Sequence, residues 1–148
     1  MNDRDTHQRH SSHPAAASRS VPSGKAAQAL WQAMEKDGLY TITEAALRLG
    51  FGYGPNARAS RLTGKGKVLA VKRGDKFLYP AFQFDEPGGR LLPAVKDVIR
   101  MGRSAGWTDE QVALWFYATN RSLRGKRPVE VRDDEEQLIG TAQKDMAG

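Results

Sequence analysis

The chain has 148 residues, a formal net charge of +6 and no cysteine. That size suits one compact domain or two small ones sharing a core, and the missing cysteine excludes disulfides, thiolate nucleophiles and Cys-ligated zinc. No apolar run approaches the ~20 residues that cross a bilayer, and no apolar signal core opens the chain, so a cytoplasmic protein without a membrane partner is the expectation.

Residues 1–24 are polar, small and proline-punctuated, and read as a flexible arm. All three histidines, His7, His10 and His13, fall in this arm. Their spacing could offer imidazoles to a metal, but the surrounding Ser, Ala and Pro favour a disordered tail. Gly24–Lys36 carries Ala26, Ala27, Leu30, Ala33 and Met34 at helical spacing, and Asp37-Gly38 ends that helix. Thr41-Ile42-Thr43-Glu44 has the form of a capping box and opens a short helix, Ile42 to Leu49, stopped by Gly50. A glycine-rich turn follows, and Pro55 suits the first turn of a further helix reaching Thr63. Val68–Val71 and Phe77–Tyr79 look like two strands joined around Arg73-Gly74-Asp75. Helix, turn, helix and basic hairpin give the order of a winged helix-turn-helix over residues 25–80.

Residues 81–148 read as helical. Asp85 to Gly89 is a loop, and Leu91 to Ser104 carries Leu92, Val95, Val98, Ile99 and Met101. Thr108-Asp109-Glu110-Gln111 repeats the capping signature. The segment Val112 to Ala118 is apolar nearly all round, so it requires burial on every side. Asn120 to Pro128 is a basic loop, and Asp133 to Lys144 a final helix with acid at its start. The fold class expected is mainly α with a small β-hairpin.

Little here resembles catalysis. Gly64-Lys65-Gly66-Lys67 lacks the glycine spacing, the Ser/Thr and the following helix of a phosphate loop, and Gly50, Gly52 and Gly54 miss the dinucleotide fingerprint. The acids Asp133 to Glu136 are consecutive, so on a helix they diverge instead of converging on one ion. Without a histidine or cysteine in the expected folded part, no nucleophile and base can be paired; neither an enzyme nor a cofactor is expected.

Charge is the stronger signal. Residues 25–80 hold ten Lys/Arg against four Asp/Glu, whereas residues 81–148 hold ten against eleven. A surplus concentrated on one segment points to a polyanion partner for that segment. In a winged helix-turn-helix the second helix enters the major groove and the wing follows the phosphates. Asn56, Arg58, Ser60 and Arg61 would then meet base edges, while Lys65, Lys67, Lys72 and Arg73 neutralise phosphates. The alternative is a merely solvated basic face.

Tyr79-Pro80-Ala81-Phe82-Gln83-Phe84-Asp85, followed by Gly89-Arg90-Leu91-Leu92-Pro93-Ala94-Val95, resembles the junction of the Xre/MbcA/ParS-type antitoxins. The likeness continues through Trp107-Thr108, Leu114-Trp115-Phe116 and Asn120 to Pro128. In that family the last motif is typically Asn-Pro-x-Leu-Gly-Gly-x-x-Pro. Asn120, Leu123, Gly125 and Pro128 match it; Arg121 replaces the proline and Arg124 the first glycine. The resemblance implies a type II antitoxin whose residues 81–148 form a helical toxin-binding and dimerisation module, inhibiting a RES-domain toxin that consumes NAD, while the N-terminal module represses the operon. It implies a contact surface at Asn120, Leu123, Arg124, Gly125 and Arg127, and near the chain end at Gln137 and Lys144. A stand-alone transcriptional regulator is the alternative.

The aromatic run adds a separate expectation. Trp115, Phe116 and Tyr117 should not all fit the core of one small helical module, so at least one should face the toxin or a second copy in a homodimer. Core packing of Trp115 stays open as the competing reading.

Overall fold

The computed structural model describes residues 21–48, 68–85 and 90–146. Helix α1 spans Gly24–Asp37. Trp31 and Met34, three residues apart, form its buried stripe, with Ala27, Leu30 and Ala33 half-buried beside them. Gly38 ends the helix at φ 122°, its N–H donating to the carbonyls of Met34 and Glu35. A short strand β1, Leu39–Tyr40, leads into α2, Ile42–Arg48. The expected capping box closes α2: the Thr41 N–H donates to Glu44 Oε1 at 2.8 Å, and the Glu44 N–H to Thr41 Oγ1 at 3.2 Å. The helix expected from Pro55 to Thr63 lies outside the described residues.

Strands β2, Val71–Arg73, and β3, Lys76–Pro80, form an antiparallel hairpin turning at Gly74-Asp75. Gly74 sits at φ 67°, a left-handed value that suits glycine in a tight turn. Strand β1 pairs with β3, Tyr40 opposite Tyr79, giving a three-stranded sheet of order β1-β3-β2. Tyr79 on one face of it, and Ala70 just before β2, pack in one cluster with Ala45 of α2 and Phe84.

The stretch from Tyr79 to Asp85 joins the two halves as a buried strut. Tyr79, Pro80, Ala81, Phe82, Gln83 and Phe84 are all buried, with Ala81, Phe82 and Gln83 in a turn of 3-10 helix. Strand β4, Phe84–Asp85, then pairs with β5, Arg90–Leu91, in a second small sheet. Helix α3, Pro93–Ser104, has proline in its first turn and a stripe of Ala94, Val95, Val98, Ile99 and Gly102. Helix α4, Asp109–Tyr117, opens on a second capping box, Thr108 with Gln111. Helix α5, Glu135–Met146, closes the fold against α3. A Cβ on Gly102 would meet Val112 Cγ2 at 2.5 Å, so glycine is what lets α3 and α4 approach so closely. No helix among the described residues is long and apolar enough to cross a membrane.

The main apolar core ignores the expected boundary at residue 80. Val21, Trp31, Met34, Leu69 and Val71 from the front pack in one cluster with Val95, Ile99, Phe116 and Leu138 from the back. Val21, placed by sequence in the flexible arm, belongs to it. The expectation that one of Trp115, Phe116 and Tyr117 faces a partner is therefore corrected: they are 1%, 0% and 1% exposed within a single chain. Helix α4 has neighbours on every side, namely α1, β2, α3 and the 3-10 turn Pro128–Val131. The all-round apolar character that suggested a second chain is satisfied by elements of both halves of the same one.

Candidate nucleic-acid interface

The hairpin projects Lys72 and Lys76 into solvent, and neither forms an ion pair with a described residue. Phe77, directly opposite Lys72, is 59% exposed, so an aromatic ring stands beside a free cation at the tip of the sheet. Arg73 points the other way. Its guanidinium lies 4.3 Å from the centre of the Trp31 ring, and Nη2 donates to Glu35 Oε2 at 3.0 Å. Both interactions clasp the hairpin to α1 and take up much of the charge that sequence assigned to a phosphate. Of the other residues expected to touch DNA, Asn56, Arg58, Ser60, Arg61, Lys65 and Lys67 lie outside the described residues.

A polar node holds the segment that enters the hairpin. The Gln83 side chain is fully buried and mimics a strand neighbour. Its Oε1 accepts from the Leu69 N–H at 2.8 Å, and its Nε2 donates to the Leu69 carbonyl at 3.1 Å. One residue on, the Ala70 N–H donates to Asp109 Oδ2. Arg103 binds Asp109 through two nitrogens, at 2.9 and 2.6 Å, and also donates to the Val68 carbonyl at 3.2 Å. Residues 68–70 thus spend their backbone groups on side chains from the C-terminal half, and the expected strand begins only at Val71. Sequence reasoning missed Gln83, Arg103 and Asp109. The one available signal was a lone amide inside the apolar run from Tyr79 to Phe84.

The residues expected at a protein contact divide by exposure. Leu123 joins the three aromatics in the core, whereas Arg124, Gly125, Gln137 and Lys144 are exposed. Asn120 and Arg127 are half-buried and engaged within the chain. Asn120 Nδ2 donates to Asp145 Oδ2, which also accepts from the Trp115 indole at 2.7 Å. Arg127 lies over the Tyr117 ring and pairs with Glu130; the Arg127 backbone N–H, then its guanidinium, hold the Glu130 carboxyl below the usual carboxylate range. The Tyr117 hydroxyl donates to Asp37 Oδ2 at 2.6 Å. Burial first, then that bond to a carboxylate, pushes the Tyr117 phenol far up. In the acidic run, Asp134 caps α5 by accepting from the Gln137 backbone and side chain. Among the described residues no group of three or more His, Cys, Asp or Glu could hold a metal ion.

No protein-family model matches this chain, and no curated protein matches it. Among solved structures, the NMR structure of Rv2175c aligns with a TM-score of 0.61 at 18% identity, over 74% of this chain and 79% of that one. The two share a fold, mainly helical with a small antiparallel sheet.

Proposed function

We propose that this protein is a DNA-binding transcriptional regulator of the winged helix-turn-helix type. The observation that carries the reading is the pairing of β1 with β3. It ties the strand between α1 and α2 to the inner strand of the hairpin β2–β3, an arrangement that supports a winged-helix reading. The segment between α2 and the hairpin lies outside the described residues, and the reading takes its Asn56, Arg58, Ser60 and Arg61 as the base contacts expected from sequence. Free Lys72 and Lys76 on the hairpin, and the positive surplus of residues 25–80, suit phosphate contacts.

The test is binding to duplex DNA from upstream of the gene, measured by fluorescence anisotropy across a salt series. The logarithm of affinity should fall linearly with that of salt. Arg58→Ala with Arg61→Ala should erase preference for the operator, whereas Lys72→Ala should weaken all sequences alike. Absence of salt-dependent binding to any duplex would overturn the proposal.

The antitoxin reading keeps the resemblance from Tyr79 to Pro128 and the exposed Arg124, Gln137 and Lys144, but loses the exposed aromatics. It is tested by co-expression with a neighbouring RES-type toxin, comparing wild type with Gln137→Ala/Lys144→Ala. Truncation near Arg132 is unsuitable, because it removes Leu138, Ala142 and Met146 from the core.

A further inference from the structure

The loop between α4 and α5 carries three cations that no ion pair among the described residues takes up, although Lys126 adds a weak attraction to the Glu130 carboxylate. Arg121, Arg124 and Lys126 are all exposed, and none of them forms an ion pair or side-chain hydrogen bond with a described residue. The loop is nevertheless rigidly built. The Asn120 N–H donates to the Lys126 carbonyl at 2.9 Å, and the Gly125 N–H donates back to the Asn120 carbonyl at 2.9 Å, closing it into a ring. Within the ring the Leu123 and Arg124 N–H groups donate to Asn120 and Arg121, and Ser122 to the Asn120 side chain. Leu123 is buried beneath, and Asn120 is pinned to Asp145. Three unpaired cations therefore stand on a pre-ordered platform, so fixing them on a ligand costs little backbone entropy.

Arg124 supplies an independent sign. It sits at φ 60°, ψ 37°, in the left-handed region, and is the only non-glycine residue at positive φ among the described residues. Glycine meets no Cβ penalty there, and with its side chain exposed and unpaired, arginine gains nothing internal in exchange. A strained, unpaired cation on an ordered loop indicates a use outside the molecule.

We infer that the loop Asn120–Arg127 is a second DNA-backbone contact, at which Arg121, Arg124 and Lys126 neutralise phosphates outside the recognition segment. This rests on the DNA-binding reading above and extends it to the C-terminal half. Tyr117, which leads into the loop, is bonded to Asp37, two residues before β1, so the loop follows directly on a contact between the two halves. Arg127 is excluded from the contact set, since Glu130 and the Tyr117 ring already hold it.

The experiment compares two full-length variants of equal charge. Arg124→Gly/Lys126→Ala removes two loop cations, while Lys96→Ala/Lys144→Ala removes two exposed lysines elsewhere in the C-terminal half. Glycine suits the Arg124 backbone, so the thermal midpoint of the loop variant should hold or rise. Its DNA affinity near 0.15 M salt should drop at least ~10-fold, and the slope of log affinity against log salt should shrink by about 2, at roughly 0.9 per lost phosphate contact. The control should keep the wild-type slope. Equal slopes and affinities for the two variants would overturn the loop contact while leaving the DNA-binding reading intact. A loop variant that binds DNA like the control and loses only capture of an acidic protein overturns the contact as well. A wild-type protein that binds no duplex overturns both readings.

Discussion

The front and back of this molecule meet at two seams of opposite character. One is apolar: Phe82 of the strut packs on Phe116 at 4.6 Å and edge-on to Tyr117 at 5.6 Å, with Trp31 and Met34 of α1 in the same cluster. The other is polar, where Gln83, Arg103 and Asp109 hold residues 68–70. The apolar seam contributes most of the free energy and tolerates small shifts, because burial has no direction. The polar seam contributes less but fixes geometry, since each of its bonds is lost over a fraction of an ångström. The chain leaving residue 67, just beyond the expected recognition helix, is thus aimed by side chains of the back half. Under the proposed DNA-binding reading, affinity for DNA then depends on the integrity of the C-terminal helices through that aim.

Two substitutions separate the seams. Phe116→Ala opens a cavity at a fully buried position and should cost about 3–5 kcal/mol. Because the core crosses residue 80, chemical denaturation followed at tryptophans of both halves, Trp31 and Trp107, should show one shared transition at lower denaturant. Two separate transitions would contradict a shared core. Gln83→Leu keeps the bulk but leaves the Leu69 N–H and carbonyl without partners, at a cost of about 2–3 kcal/mol. Its signature is local: hydrogen exchange at Leu69 and Ala70 should accelerate more than at α3 or α5. Uniform acceleration would show that the amide merely fills space.

The sequence carried the local structure of both halves further than their union. Both capping boxes, the stripe of α1, the Gly74 turn and the final helix follow from spacing of a few residues, and all are present. The burial of α4 was legible too, but not what buries it. An apolar face specifies that it must be covered, without naming the surface that covers it, and here part of the cover comes from α1 some 80 residues earlier. The Val68–Val71 strand shows the same limit from the other side. Its apolar residues are buried as a strand's would be, yet side chains from positions 83, 103 and 109 replace a neighbouring strand, and no local pattern encodes that. At the candidate interface, Arg73 could not be told from Lys72 by charge alone. The difference lies in strand alternation, which turns Arg73 toward Trp31 and Lys72 toward solvent.

The smallest expected effect probes where the seams join, at the bond from Tyr117 to Asp37. A phenol ordinarily ionises near 10, and here burial and the Asp37 carboxylate raise it well above that in the folded chain. Between the two values the unfolded chain has released its proton while the folded one retains it. The folded state then binds more protons, and stability must fall as pH rises, by up to about 1.4 kcal/mol per pH unit for this one group. Below pH 10 the contribution is fully present. Tyr117→Phe should therefore cost only about 1 kcal/mol at neutral pH, since the ring still packs on Phe82 and the exposed Asp37 regains water. Above pH 10 the variant should lose stability more slowly than wild type, and the two curves should converge. The difference between the curves isolates this hydroxyl, because it is the one group that the two proteins do not share. Parallel curves from pH 7 to 11 would mean that no proton is held between α4 and the end of α1, and that only apolar packing joins them there.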